Sequence, residues 1–383
     1  MSSNSGISVS LYLGRIYPTA APQMIAEALQ NIEVTHSDDG PGVFQMTFHA
    51  DRAQGFTADF PLLSSPLLKP TNRVIISVTM NGTPFVLMDG FITRQELAHS
   101  REFGASSLIV TGEDISVVMD LYESSSEYPG MGDAAIAAWV MIQPQYSILG
   151  LIPTIIPTLS SLITLPIERV PQQNATDRQY LKELAAPHGY VFYVKPGPAL
   201  MTNIAYWGPP IRFGSVQNAL TVDMGPGSNV ERINFQYNAL APSLLHGWVQ
   251  DNETEEDLPL LTLFSTRLPP MASEPALDFN QPFVRNRQYQ DPRLGYMRGL
   301  DLAQSDTDVS TDQVVTAQGE LDSLRYGSIL EAPGLVDVRG SGHSYDGRYY
   351  VQSVTHTISR GVYKQAFTLT REGTGSLVSE VNC

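Results

Sequence analysis

Two long runs of alternating apolar and polar residues, divided only by Arg360-Gly361, constrain the fold more than any other feature of this chain. They read RYYVQSVTHTIS, Arg348 to Ser359, and VYKQAFTLTRE, Val362 to Glu372. A period of two sends successive side chains to opposite faces of a strand, so each run is expected to be half-buried and the pair to form a hairpin through Gly361. Tyr350, Val354 and Ile358 are then expected on one face, with Phe367 and Leu369 meeting them from the returning strand. Asp346-Gly347 punctuates the entry, and Ile329 to Val338 leads into it through GSGHSYDG.

The front of the chain carries the same signature. Val43 to Phe48 places Phe44, Met46 and Phe48 on one side and Gln45 and Thr47 on the other. Arg73 to Met80 is followed at once by Asn81-Gly82, a dipeptide that enters tight hairpins because both residues tolerate positive φ. Phe85 to Thr93 is the return strand, and Asp89-Gly90 inside it predicts a bulge or bend suited to a small closed barrel. Ser107 to Thr111 continues the sheet, and Glu113 to Leu121 has the spacing of a short helix lying on it. The alternation Ile233, Phe235, Tyr237 adds a later strand.

The middle differs. Ala134 to Ile167 is 34 residues without a formal charge. A membrane span needs about 20 uninterrupted apolar residues, and Ile148 to Leu165 approaches that. Pro153 and Pro157 interrupt it and no basic cluster anchors either end, so the segment reads as an apolar loop, 147–167, packed against another domain or subunit. Its Ile148, Leu151, Ile152, Ile155 and Ile156 are the candidate interface residues. After it comes the clearest helix, within Asn174 to Val194. Thr176 has the capping spacing to Gln179, and Asp177 lies in the first turn where negative charge is favoured. Tyr180, Leu181, Leu184 and Ala185 form the buried stripe, and Pro187 and Gly189 stop the helix before a strand at Tyr190 to Val194. From Leu258 to Asp312 periodicity is weak, predicting long connections with one short helix around Met297 to Ala303.

Composition limits function. The chain has 383 residues, 23 basic against 39 acidic side chains, and a formal charge of −16, which repels nucleic-acid phosphates and anionic lipid. Only 16% of residues are charged, well below the roughly 25% typical of globular proteins, which suggests surface hidden in partner contacts. One cysteine, Cys383, excludes an intrachain disulfide framework. No HExxH, nucleophile elbow or phosphate loop is present; GPGS at 225–228 lacks the loop's lysine. The acidic run DNETEED, 251–257, lacks the glycine-centred calcium-loop pattern and reads as a solvated loop. His188 reads as a turn histidine. No catalytic residue, cofactor or metal site is expected, and no secretion signal is visible at the start.

Three stretches, in order, carry a resemblance: TDRQYLKELAAPHGYVFYV at 176–194, LTVDMGPGSNVERINFQYNAL at 220–240 and YDGRYYVQSVTHTISRGVYKQAFTLTRE at 345–372. The chain resembles the baseplate hub proteins of contractile phage tails and extracellular contractile injection systems, the phage late control D-like family. That resemblance marks Thr176, Asp177, Tyr180, Leu184, Gly189, Asp346, Gly347, Tyr350, Val354, Gly361 and Phe367 as structural motif positions. It implies a mainly β chain with two small tail-tube-like β-barrels and an α+β middle region. The expected division is 1–122 for the first barrel, completed by a segment near 215–240, then 123–214 for the middle domain and 240–383 for the second barrel, with long connections at 250–312. It further implies a homotrimeric adaptor between a sixfold inner tube and a threefold spike, with other baseplate components as partners, assembled in the bacterial cytoplasm. The alternatives from other classes are a membrane-associated protein inserting through 147–167, and a non-catalytic carbohydrate-binding β-protein if Trp139, Trp207 and Trp248 line one groove.

Overall fold

A computed structural model describes residues 6–50, 60–100, 106–158, 170–250, 256–280, 282–289 and 296–377. Six antiparallel strands open the chain: β1 Ser8–Gly14, β2 Leu29–Ser37, β3 Val43–His49, β4 Arg73–Met80, β5 Thr83–Ala98 and β6 Ser107–Asp114. They lie in the order β1-β4-β5-β6-β3-β2. Their inward residues, among them Leu13, Ile32, Phe44, Met46, Phe48, Val74, Leu108 and Val110, enclose one apolar core. The alternation at Phe44, Met46 and Phe48 is buried as predicted, because a half-buried strand must send every second side chain inward.

The expected bulge at Asp89-Gly90 falls to either side of it. Register slips at Leu87 and at Thr93, while Gly90 itself pairs regularly with Val74 and Asp114. The glycine is required for a different reason: a Cβ there would stand 2.0 Å from the Glu113 carbonyl oxygen.

The middle region contains β7 Glu123–Glu127, α1 Asp133–Met141, β8 Leu151–Ile155, β9 Gln172–Thr176, α2 Asp177–Ala185, β10 Val191–Pro196 and β11 Asn203–Gly208. The apolar segment is thus not a bent loop throughout. Leu151–Ile155 is a strand, parallel to β11 and at the edge of the order β10-β11-β8. Pro153 is tolerated because an edge strand has one side on which a missing N–H costs nothing. Residues 159–169 lie outside the described residues. Helix α2 starts as the sequence predicts, with Thr176 Oγ1 accepting from Gln179 N at 3.3 Å, and buries Tyr180, Leu181, Leu184 and Ala185. Gly189 ends it in the left-handed region, φ +59°.

The second half contributes β12 Gln217–Thr221 and β13 Val230–Tyr237. An insert follows, with β14 Ser243–Gln250, β15 Asp257–Leu261, β16 Arg285–Gln288 and α3 Tyr296–Asp312. Then come β17 Val315–Asp322, β18 Gly334–Arg339, β19 Gly347–Ser359 and β20 Val362–Arg371. Outside the insert the order is β12-β18-β19-β20-β17-β13. The segment at 215–240 therefore joins this unit rather than completing the first. Each unit of six strands, lettered a to f along the chain, has the same spatial order, a-d-e-f-c-b. They differ at one pairing: β12 runs parallel to β18 where β1 runs antiparallel to β4.

The units are hydrogen-bonded into one thirteen-stranded sheet, which also takes in the short pair at Thr19–Ala20, through β2 and β19, Asn31 opposite Ser359 to Ser37 opposite Ser353. Strand β19 consequently serves two cores, giving Ile358 to the first and Val351 and Val354 to the second beside Phe367 and Leu369. Tyr350 departs from the expected face. Register slips at Gln352, so Val351 takes the place in line with Val354 and Tyr350 turns toward Met271 and Leu335. Within the lead-in from Ile329 to Val338 a strand begins at Gly334, after Pro333.

Among the described residues of 243–312, three strands form a sheet, β15-β14-β16, covered by the seventeen-residue α3, which is longer than the short helix expected there. A long connection with one short helix, Ala276–Phe279, separates Leu261 from Arg285. Gly299, Ala303, Thr307 and Thr311 recur every fourth residue and are buried, a contact stripe of small side chains that apolar periodicity does not register.

Candidate assembly surfaces and the junctions behind them

Three clusters of charged side chains join parts of the chain far apart in sequence. Fully buried Arg73, on β4, donates from Nε and Nη2 to Asp89 Oδ1 and Oδ2, both at 2.7 Å. Its Nη2 also reaches the Leu149 carbonyl at 2.8 Å, and Asn203 Nδ2 donates to Asp89 Oδ2 at 2.9 Å. Leu149 and Asn203 belong to the middle region, so one two-pronged ion pair ties that region to the first unit. Two charges leave water here only because each finds a forked partner and further hydrogen bonds.

The second cluster is Arg178, on α2, which donates to Glu113 Oε2 at 2.7 Å and pairs with Asp120. The Thr176 hydroxyl donates to Asp120 Oδ1 at 2.5 Å. That bond first, then Arg178, holds the Asp120 carboxyl below its ordinary range. The third cluster joins four segments. Arg212 donates to Glu372 at 3.0 Å and to Asp312 at 2.9 Å; Arg267 donates to Asp312 at 3.0 Å and to the Gly189 carbonyl at 2.6 Å. Asp312 ends α3 and Gly189 ends the α2 turn, so insert, middle region and second unit share one charge network. Beside it opens a cavity of about 620 Å³ bordered by Asp38, Lys182, Arg212, Asp312 and Tyr350. Burial pushes the Asp38 carboxyl up to about 6.

The motif positions make local contacts. Asp177 accepts from Tyr146 Oη at 2.5 Å and Gln173 Nε2 at 2.7 Å, and Tyr180 stacks on Tyr128 at 5.9 Å. Leu184 packs in the middle core. The Asp346 carboxylate accepts from Ser341 N, its carbonyl accepts from buried Arg371, and Gly347 and Gly361 take φ +119° and +78°. His188 Nε2 lies 2.9 Å from Asp133 Oδ2, a carboxylate partner 55 residues away that sequence could not pair with it. Among the described residues no three His, Cys, Asp or Glu side chains are grouped to hold a metal ion.

The candidate interface residues divide. Leu151 is buried within the chain's own middle core, and Ile155 packs partly against it. Ile156 is partly buried, its side chain beside Gly208. Ile148 and Ile152 stand 60% and 52% exposed. Further exposed apolar groups, outside the candidate interface set, are Tyr122 and Trp139 in the middle region and Trp248, Leu261, Leu263 and Phe264 on the insert. Trp139 and Trp248 are each followed by a buried valine, and only the fold decides which side of a short element faces out. Trp207 is wholly buried and donates to the Leu181 carbonyl at 3.1 Å, so the three tryptophans do not line one sugar-binding groove. Among the described residues no helix is long and apolar enough to cross a membrane.

No family model matches the sequence, and no curated protein does. Solved structures do. The 43 kDa tail protein of prophage MuSo2 from Shewanella oneidensis superposes with a TM-score of 0.63 at 12% identity, covering 96% of this chain and 99% of that one. The tail protein from Neisseria meningitidis MC58 gives 0.63 at 14% identity, covering 96% and 97%. An E. coli component of the type VI secretion system, described as structurally similar to T4 tail proteins gp27 and gp5, gives 0.53 at 12% identity over 89% of this chain and 73% of that one. At such identities the likeness is one of fold, and it extends over nearly the whole chain. The fold is that of phage tail proteins, in line with the sequence resemblance.

Proposed function

We propose that this chain is the structural hub of a contractile tail-like particle, a homotrimer that joins a sixfold inner tube to a threefold spike and contacts other baseplate components. The observation that carries the reading is the repeated strand order a-d-e-f-c-b. Three copies of a chain with two similar units would offer six similar faces to a tube while keeping threefold symmetry for a spike. The charge clusters at the junctions support it, since an adaptor must hold its units at a fixed angle. So do the low charged fraction and the exposed Ile148, Ile152, Trp248 and Phe264, because obligate interfaces are more apolar than ordinary surface. The work is assembly, in the bacterial cytoplasm, with no bond made or broken. Native mass measurement of the hub purified with its spike tests it: three hub copies per spike are expected, and two or six would refute the reading.

A further inference from the structure

The middle region carries a groove of about 750 Å³ between strand β7 and helix α1. Among the described residues strand β7 pairs with β9 alone, in a two-stranded sheet. Tyr128, just beyond it, donates its N–H to the Pro171 carbonyl at 2.9 Å, which fixes the phase of the ladder. By antiparallel alternation Ser124 and Ser126 face β9, while Glu123, Ser125 and Glu127 turn their N–H and C=O groups to the other edge. Among the described residues no strand pairs with that edge. Residues of both parities, Glu123, Ser124, Ser126 and Glu127, border the groove, so the strand runs along its length. Across from it stands Trp139 of α1, 53% exposed, with Tyr122, 81% exposed, at one end.

A free strand edge facing a helix across a groove is the geometry in which an extended peptide adds as a further strand, its main chain bonded to the edge and its side chains alternating between helix and solvent. The volume suits one extended segment and not a folded sheet. The lining chooses its chemistry. Among the described residues it contains the carboxylates of Glu123, Glu127 and Asp177 and no Lys or Arg. We infer that this groove docks a basic extended segment of another protein by strand addition to β7, with Trp139 as the apolar wall. The inference stands apart from the hub reading and does not depend on trimer formation.

The probe is a fluorescein-labelled decapeptide alternating lysine and threonine, with its glutamate-threonine counterpart as control, titrated with the full chain and read by fluorescence anisotropy. The lysine peptide should bind, and the glutamate peptide should not. Ser125→Pro removes one outward N–H while sparing the β7–β9 ladder and the charge of the groove. It should weaken the lysine peptide about tenfold, the effect of one lost main-chain hydrogen bond. Undiminished binding by a folded Ser125→Pro variant would mean generic attraction to an acidic chain and overturn the inference. Absence of binding by the parent chain, as when the chain itself fills the groove, would overturn it too. Should Ser125→Pro fail to fold, Trp139→Ala decides: this exposed, charge-neutral change should weaken the lysine peptide severalfold, and an unchanged affinity sinks the proposal.

Discussion

Replacing Asp89 by alanine tests whether the middle region is fastened to the first unit by charge. The change leaves Arg73 with its guanidinium buried, its two 2.7 Å bonds gone and only carbonyl oxygens of Leu149 and Ile16 as acceptors. Asn203 Nδ2 loses its acceptor as well. Stranding one member of a buried pair costs about 3–5 kcal/mol. Removing both, as in Arg73→Met with Asp89→Leu, leaves Asn203 Nδ2 unpaired as the single change does, but trades the stranded charge for an unsatisfied Leu149 carbonyl, whose cost is only about 1–3 kcal/mol. For a cooperative chain of 383 residues the unfolding entropy is about 0.8 kcal/mol per degree, so a loss of about 4 kcal/mol lowers Tm by roughly 5 °C. Calorimetry of parent, Asp89→Ala and the double variant gives the comparison. The double variant should recover part of the loss; if it melts as low as Asp89→Ala, or if Asp89→Ala shifts Tm by less than about 1 °C, the buried pair is not what fastens the junction.

Acid should open the seam between the units. Burial pushes His356, on β19, down to about 3, and lowers His36, on β2, through burial first. Both stay neutral in the fold but take a proton in the unfolded chain below its ordinary pKa near 6.5, so their contribution is whole above that value and is lost as pH falls below it, for His356 down to about 3. His356→Leu should flatten urea-measured stability by up to about 1.4 kcal/mol per pH unit in that window, and an unchanged slope would refute the assignment. Gly90→Ala should cost about 1–3 kcal/mol, since the new methyl meets the Glu113 backbone rather than a movable side chain. A Tm equal to the parent's would show that the strands can part there. Ile148→Asp with Ile152→Asp alters exposed positions only, so the monomer should melt as before while particle imaging shows assembly blocked; normal particles would remove these residues from any interface.

Strands were legible wherever one face is buried and the other wet. Phe44, Met46 and Phe48, the Asn81-Gly82 hairpin and the Thr176 cap are local signals, set by residues within a few positions of one another. Register was not legible. The single extra residue Gln352 moves Tyr350 out of line with Val354, and nothing in a period-two pattern reveals one added residue. Helix α3 was half missed because its buried stripe is glycine, alanine and threonine, residues that pack closely without scoring as apolar. The candidate surface was least visible. Leu151 and Ile152 are neighbours of like chemistry, yet one is core and the other half exposed, and only the pairing of β8 with β11 decides between them. Charges that meet across more than a hundred residues, as Arg212 and Glu372 do, leave no trace in local spacing.

The seam strand β19 also sets a timetable for synthesis. The last strand of the first unit ends at Asp114, but the edge of β2 waits for Ser353 to Ser359 before it is covered. At about 5–20 residues per second a ribosome needs roughly 10–50 s to make the intervening chain. For that interval the nascent protein carries an open strand edge with Ile32 and Val34 beside it, a template for pairing with another nascent copy on the same message. Translation rate between the two units therefore becomes a determinant of yield, and chaperones that bind extended edges should associate with this chain before its last hairpin emerges and leave once it has docked.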